Sequence, residues 1–204
     1  MNQTITKYYA QKYNLFSVNY LNNLAKNILD SPYLASSQLS ESFNGTKGFS
    51  IVFKRSGISQ VIQQFPFFQP YLEIALKKGC NVFYLNPLIL ENGNRVEPHI
   101  DCSISSYAMI MTIPRLVSVL YVQLPKDLQG GELILQLKGT ELTQTAQIKP
   151  EINKLVYFLG SVMHSVNAVK SSQARISLIC EQYNLSEERL NSIPEFEIKS
   201  ENKK

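Results

Sequence analysis

From about residue 81 the chain is a succession of short β-rich runs divided by turn formers, and this alternation limits the fold more than any other feature. The runs are NVFYLNPLIL, RLVSVLYVQL, GELILQL, TAQIKP, KLVYFLG, HSVNAV and ARISLICEQY, with ENGN, PKDLQGG, KGTE and KSSQ between several of them. Each has the length and the branched or aromatic content of a strand, and the separators carry the residues that turns require. Repeated short strands at this spacing predict a sandwich or jelly roll.

The first 80 residues have a different texture, mainly helical with one strand. After Ser17, a plausible N-cap, apolar residues fall at Leu21, Leu24, Ala25, Ile28 and Leu29, the stripe of an amphipathic helix that DSP at 30–32 would stop. GFSIVFKR (48–55) predicts a strand. PYLEIALKKGC (70–80) predicts a helix, with Pro70 in the first turn, Lys77 and Lys78 at the negative end of the dipole and Gly79 as a left-handed stop. After Asn184 the sequence turns polar, and EIKSENKK predicts a mobile end. The expected organisation is one α+β, mainly β domain over 1–204: a helical support segment (1–80), a β core (81–183) and a polar tail (184–204).

Charge and cysteine content narrow the function classes. The net charge is +4, from 20 basic and 16 acidic residues, and no dense Lys/Arg block marks a nucleic-acid footprint. Cys80, Cys102 and Cys180 are scattered and form no CxxC, which favours free thiols in a reducing compartment. The N-terminus lacks the apolar core of a signal peptide, and no run of about 18 apolar residues exists. A soluble, cytoplasmic protein is expected.

The chain has two histidines, and one of them, His99, stands in EPHID, two positions before Asp101. On a strand, residues i and i+2 share a face, so this pair can offer an imidazole nitrogen and a carboxylate oxygen to one point. The other histidine, His164, opens a second β-like run. Two histidines and a carboxylate with open positions are the donor set of a non-haem Fe(II) centre. Eleven residues after His164, Arg175 and Ser177 again share a face. A guanidinium binds a carboxylate in two-pronged fashion, and a hydroxyl can add a further hydrogen bond.

Residues 81–180, through EPHID, LPKDLQGGELIL and KLVYFLGSVMHSVNAVKSSQARISL, resemble the Fe(II)- and 2-oxoglutarate-dependent dioxygenases, nearest the prolyl 4-hydroxylase-like branch. The resemblance implies a double-stranded β-helix, or jelly roll, with N-terminal supporting helices. It implies that His99, Asp101 and His164 hold Fe(II) from one sheet. Arg175, assisted by Ser177, would reach from the facing sheet to the far carboxylate of 2-oxoglutarate. Tyr84, on the strand before HxD, matches a tyrosine that often donates to the co-substrate, with Tyr121 as a second candidate. O2 would be the oxidant and ascorbate a candidate reductant. The reaction implied is hydroxylation of an unactivated C–H bond with release of succinate and CO2. Asp101 favours it, since halogenating relatives carry a small residue there. In that branch the basic residue usually falls one position nearer the second histidine. The extra residue is therefore expected to be absorbed in the turn KSSQA, with Lys170 as the alternative anchor.

The expected substrate is an amino acid, a peptide or protein side chain, or a small metabolite. Arg95 and Arg115, which flank the predicted mouth of the site, could hold a substrate carboxylate, and the segment 102–115 would overlie it. Gly130 and Gly131 are expected to serve only a turn with positive φ. Two other functions fit the same fold: a non-catalytic jelly roll that binds or senses, and an oxidative demethylase of nucleic acid. The latter would call for a basic groove and stacking aromatics, and neither stands out. Oligomeric state leaves no mark on the sequence.

Overall fold

A computed structural model describes residues 8–36, 45–138 and 143–199. Strand β1 (Tyr9–Tyr13), helix α1 (Val18–Leu29), strands β2 (Ala35–Ser36), β3 (Lys47–Gly48) and β4 (Ser50–Lys54), and helices α2 (Ile58–Gln64) and α3 (Gln69–Ala75) come first. The β-rich part supplies β5 (Val82–Leu90), β6 (Val96–His99), a single helical turn α4 (Ser105–Ala108), β7 (Leu116–Gln123), β8 (Gln129–Gly130) and β9 (Leu133–Lys138). It continues with β10 (Thr143–Ile148), β11 (Lys154–Leu159), β12 (Met163–Val166), β13 (Val169–Lys170) and β14 (Arg175–Tyr183). The turn α5 (Glu187–Leu190) and strand β15 (Phe196–Lys199) follow.

Among the described residues, nine strands form a major antiparallel sheet, β1-β11-β7-β14-β5-β3-β2, with β4 also on β5 and β15 on β4. Four form a minor sheet, β10-β9-β12-β6, that faces it. This is the predicted jelly roll. Alternation along β14 shows how the sequence builds it. Ile176, Leu178 and Cys180 pack outward with Leu24, Ile28 and Tyr71 of the helices. The opposite face of the major sheet, with Leu88, Val119 and Phe158, meets Leu133 and Leu135 of the minor sheet. Arg175, Ser177, Ile179 and Glu181 share that inner face. Pro87 sits in the middle of β5, where a missing N–H should break a ladder. It lies where the partner changes from β4, which ends its pairing at Leu85, to β3, which begins at Leu88.

Helix α1 follows its sequence: the Ser17 hydroxyl accepts from the Tyr20 amide at 3.2 Å, and Leu21, Leu24, Ala25 and Ile28 are buried. Helix α3 does not. It ends at Ala75, Leu76 is extended, and Lys77, Lys78 and Gly79 lie beyond it. Tertiary bonds pull the chain away: the Lys77 amide donates to Gln182 at 2.8 Å and its carbonyl accepts from Arg55 at 2.5 Å. Gly79 does not have a positive φ; it makes room for Arg115, whose Nη1 would lie 2.8 Å from an added Cβ. The N-terminal segment is also richer in strands than expected, since β1 joins the sheet edge on β11. The polar tail is not loose over 196–199, where β15 pairs with β4. The rest of the expected mobile end, 200–204, and most of the KGTE turn, 139–141, lie outside the described residues.

Candidate metal centre and its cavity

Neighbouring strands of the minor sheet bring the two histidines together: His164 on β12 is the direct cross-strand partner of His99 on β6. Asp101, two residues beyond the end of β6, turns back between them. His99 Nε2 lies 3.3 Å from Asp101 Oδ1 and His164 Nε2 lies 3.4 Å from Asp101 Oδ2. One ligand atom from each of the three lies within 4.8 Å of the others. Ligands about 2.1 Å from a shared ion and at right angles to one another lie roughly 3 Å apart, so the spacing suits a single divalent cation. The Nδ1 atoms face backbone carbonyls, Glu97 at 2.8 Å for His99 and Val162 at 3.2 Å for His164. Those contacts favour Nδ1–H tautomers and direct Nε2 lone pairs at the common point. Asp101 Oδ2 is buried and accepts no hydrogen bond, as an atom reserved for a cation would be.

Burial disfavours the charge of Asp101, yet the two imidazoles outweigh it and hold the carboxyl below its ordinary value. Burial pushes His164 down, with Asp101 offsetting only part of the effect. His99 is also penalised by burial, but the Asp101 hydrogen bond and charge lift it above the ordinary imidazole value.

The cluster opens into a cavity of about 520 Å³, within the range of small-molecule sites. Arg175 lines it from the major sheet and is 1% exposed. Its guanidinium donates to the Gly131 carbonyl and, at 3.2 Å, to the Ser177 hydroxyl, while Nε has no partner. No carboxylate of the described residues lies within 4.0 Å of it. Residues 171–174 connect β13 to β14, and Arg175 faces inward beside Ser177. Lys170 is exposed on β13 and does not line the cavity. The glycine pair does more than turn the chain. Gly131 has φ +71°, and an added Cβ would lie 3.0 Å from Arg175 Nη1, so its small size admits the guanidinium its carbonyl holds.

Of the two tyrosines, Tyr121 stands beside Arg175, and Tyr84 lines the cavity elsewhere. Tyr121 is the cross-strand partner of Ser177, and the guanidinium carbon of Arg175 lies 5.2 Å from its ring centroid. Its buried hydroxyl has no partner. Tyr84 pairs across with Glu181, whereas Arg175 pairs with Leu90. Six strand positions, roughly 20 Å at about 3.3 Å each, therefore separate Tyr84 from the level of Arg175. Its hydroxyl donates to Ser50 at 2.6 Å, so it belongs to the other end of the cavity. Neither flanking arginine reaches the cavity. Arg95 is exposed and pairs with Glu97, and Arg115 is exposed and donates to the Gly79 carbonyl. Both solvate their charge outside instead. Of segment 102–115, Cys102 and Ser103 line the cavity, and Met109, Ile110 and Met111 are exposed.

Sequence reasoning passed over Glu181, which lines the cavity near Asp101 and is 2% exposed. The signal was present, since Arg175, Ser177, Ile179 and Glu181 alternate on one strand face. Burial, and then the charge of Asp101, push its carboxyl up to about 8. Cys102 also lines the cavity, and all three cysteines are free.

Residues 82–180 match the family model of the 2OG-Fe(II) oxygenase superfamily. No curated protein matches the chain by sequence. Solved structures share its fold at low identity. A Pseudomonas putida prolyl-4-hydroxylase is 16% identical, with TM-score 0.59, over 89% of this chain and 95% of that one. A Trichoplax adhaerens prolyl hydroxylase, in complex with a hypoxia inducible factor peptide fragment, is 13% identical, with TM-score 0.57, over 88% and 84%. A viral collagen prolyl hydroxylase from Paramecium Bursaria Chlorella virus-1, in a 2OG complex, is 14% identical, with TM-score 0.53, over 88% and 97%.

Proposed function

We propose that this chain, whose residues 82–180 match the 2OG-Fe(II) oxygenase superfamily model, is such an oxygenase and hydroxylates an unactivated C–H bond in a 2-oxoglutarate-dependent reaction that releases succinate and CO2. The substrate would be an amino acid, a peptide or protein side chain, or a small metabolite; the peptide complex of the Trichoplax neighbour keeps peptides in that range. One observation carries the reading. A cation-ready His–Asp–His cluster and a buried arginine without a carboxylate partner line the same cavity from opposite sheets.

Each role follows from chemistry. His99, Asp101 and His164 would hold Fe(II), which when bound supplies the redox chemistry that couples O2 and 2-oxoglutarate to C–H oxidation. Arg175 would take the far carboxylate of the co-substrate, since burying a guanidinium without an anion is costly and a diacid removes that cost. Ser177 orients the guanidinium through its hydrogen bond, and the Tyr121 hydroxyl would donate to the same carboxylate. The apolar walls, including Leu88, Val119, Leu133 and Ile179, keep the charged end of the co-substrate dry and its ion pair strong. The free thiols accord with a reducing, cytoplasmic setting. Purified protein with Fe(II) should form succinate from 2-oxoglutarate, and Asp101→Ala should abolish it. Wild-type protein that binds Fe(II) but forms no succinate with or without substrates would refute the proposal.

A further inference from the structure

The end of the cavity away from Arg175 holds an acidic and a basic side chain that the chemistry above does not use. Glu181 is one. Its carboxylate accepts from the Ser103 amide at 3.2 Å and from the Ser103 and Tyr183 hydroxyls. These donors fix its direction, and no Lys, Arg or His of the described residues lies within 4.0 Å to stabilise its ionised form. Asp101 nearby has two imidazoles within 3.4 Å, and Glu181 has none within 4.0 Å. Lys199 of β15 is the other. It is half-buried, its Nζ lies 4.3 Å from the Tyr107 ring centroid, and no carboxylate of the described residues lies within 4.0 Å of it. Glu197 is engaged elsewhere, accepting from the Tyr107 hydroxyl at 2.9 Å. A carboxylate and an ammonium thus line one small chamber without closing on each other.

A buried carboxyl without a counter-charge is held toward its neutral form, and a ligand that brings a cation stabilises the ionised form and gains an ion pair on binding. An α-amino acid carries an ammonium and a carboxylate on one carbon, which suits a chamber that offers the two opposite charges. We propose that the substrate is a free α-amino acid, its ammonium held by Glu181 and its carboxylate by Lys199, with its side chain directed at the His–Asp–His cluster. This rests on the oxygenase reading and narrows it. A residue inside a peptide has lost both charges and would leave Glu181 and Lys199 unsatisfied.

The test is calorimetry under argon on protein loaded with Fe(II) and 2-oxoglutarate. The probes are the twenty free L-amino acids, then the N-acetyl and carboxamide derivatives of each one that binds. At least one free amino acid should bind saturably, and each derivative should bind at least tenfold more weakly, the weight of one charge-assisted hydrogen bond. Glu181→Gln should weaken the free amino acid at least tenfold and close the gap to its N-acetyl form to less than threefold. Lys199→Gln should close the gap to the carboxamide, and it decides the matter if Glu181→Gln fails to fold, because Lys199 sits at a half-exposed strand end. Succinate formation without binding of any free amino acid would overturn this proposal and leave the oxygenase reading standing. Derivatives that bind as well as their parents, or a gap that survives both substitutions, would also overturn it. Amino-acid binding by a protein that forms no succinate would support the subsite and remove the oxygenase reading.

Discussion

Replacing Arg175 with Met separates the two halves of the proposed centre. The guanidinium is 1% exposed, makes hydrogen bonds to Gly131 and Ser177, and has no carboxylate partner. In the protein without co-substrate, two effects of the change oppose each other. An unpaired buried cation disappears, which is favourable, and the Gly131 carbonyl loses a donor, which costs about 1–3 kcal/mol. Stability should therefore change by no more than about 2 kcal/mol in either direction. With 2-oxoglutarate the effects no longer cancel. A desolvated two-pronged ion pair is lost and the diacid's far carboxylate is left buried beside a thioether, a penalty of about 3–5 kcal/mol. At about 1.4 kcal/mol per tenfold, the affinity should fall at least 100-fold. Fe(II) affinity should stay within threefold of wild type, since Arg175 touches none of the three cluster residues. Anaerobic calorimetry of Fe(II), then of 2-oxoglutarate, reads both quantities on one sample. A 2-oxoglutarate Kd within threefold of wild type, or an equal loss of both ligands, would refute the anchor role.

The remaining expectations concern the same wall. Tyr121→Phe would remove the hydrogen bond proposed to the co-substrate, about 0.5–1.5 kcal/mol, and should raise the KM for 2-oxoglutarate about two- to twelvefold. Tyr84→Phe should leave that KM unchanged, and steady-state succinate assays compare the two directly. Gly131→Ala meets both a φ of +71° and Arg175 Nη1 at 3.0 Å from the new Cβ. It should lower stability by about 1–2 kcal/mol in chemical denaturation and weaken 2-oxoglutarate at least threefold. Ser17→Ala should cost about 1 kcal/mol through loss of the α1 cap, with no change in Kd for either ligand.

The strands from β5 to β14 were legible because their runs alternate and are divided by strong turn formers. His99, Asp101, His164 and Arg175 were legible because both rare histidines fall in β contexts and the i, i+2 pairs declare a shared face. What the sequence concealed is register. Tyr84 and Tyr121 are equally suitable as residues, and only the pairing of β14 with β5 on one side and β7 on the other assigns Tyr121 to Arg175. Edge strands were concealed too, since YAQKY and FEIK carry little apolar pattern and owe their shape to β11 and β4. Helix α3 was overrun because Gln182 and Arg55, distant in sequence, compete for the backbone of Lys77. Glu181 lay in plain alternation with Arg175 and was missed because a carboxylate on a core strand reads as solvent-facing until its burial is known.

Anomalous diffraction at the iron edge, on crystals grown anaerobically with Fe(II), tests the central claim most directly. The account predicts one strong peak bounded by His99 Nε2, an Asp101 carboxylate oxygen and His164 Nε2, lost in His164→Ala. No peak there at full Fe(II) loading, or a peak held by other side chains, would contradict it.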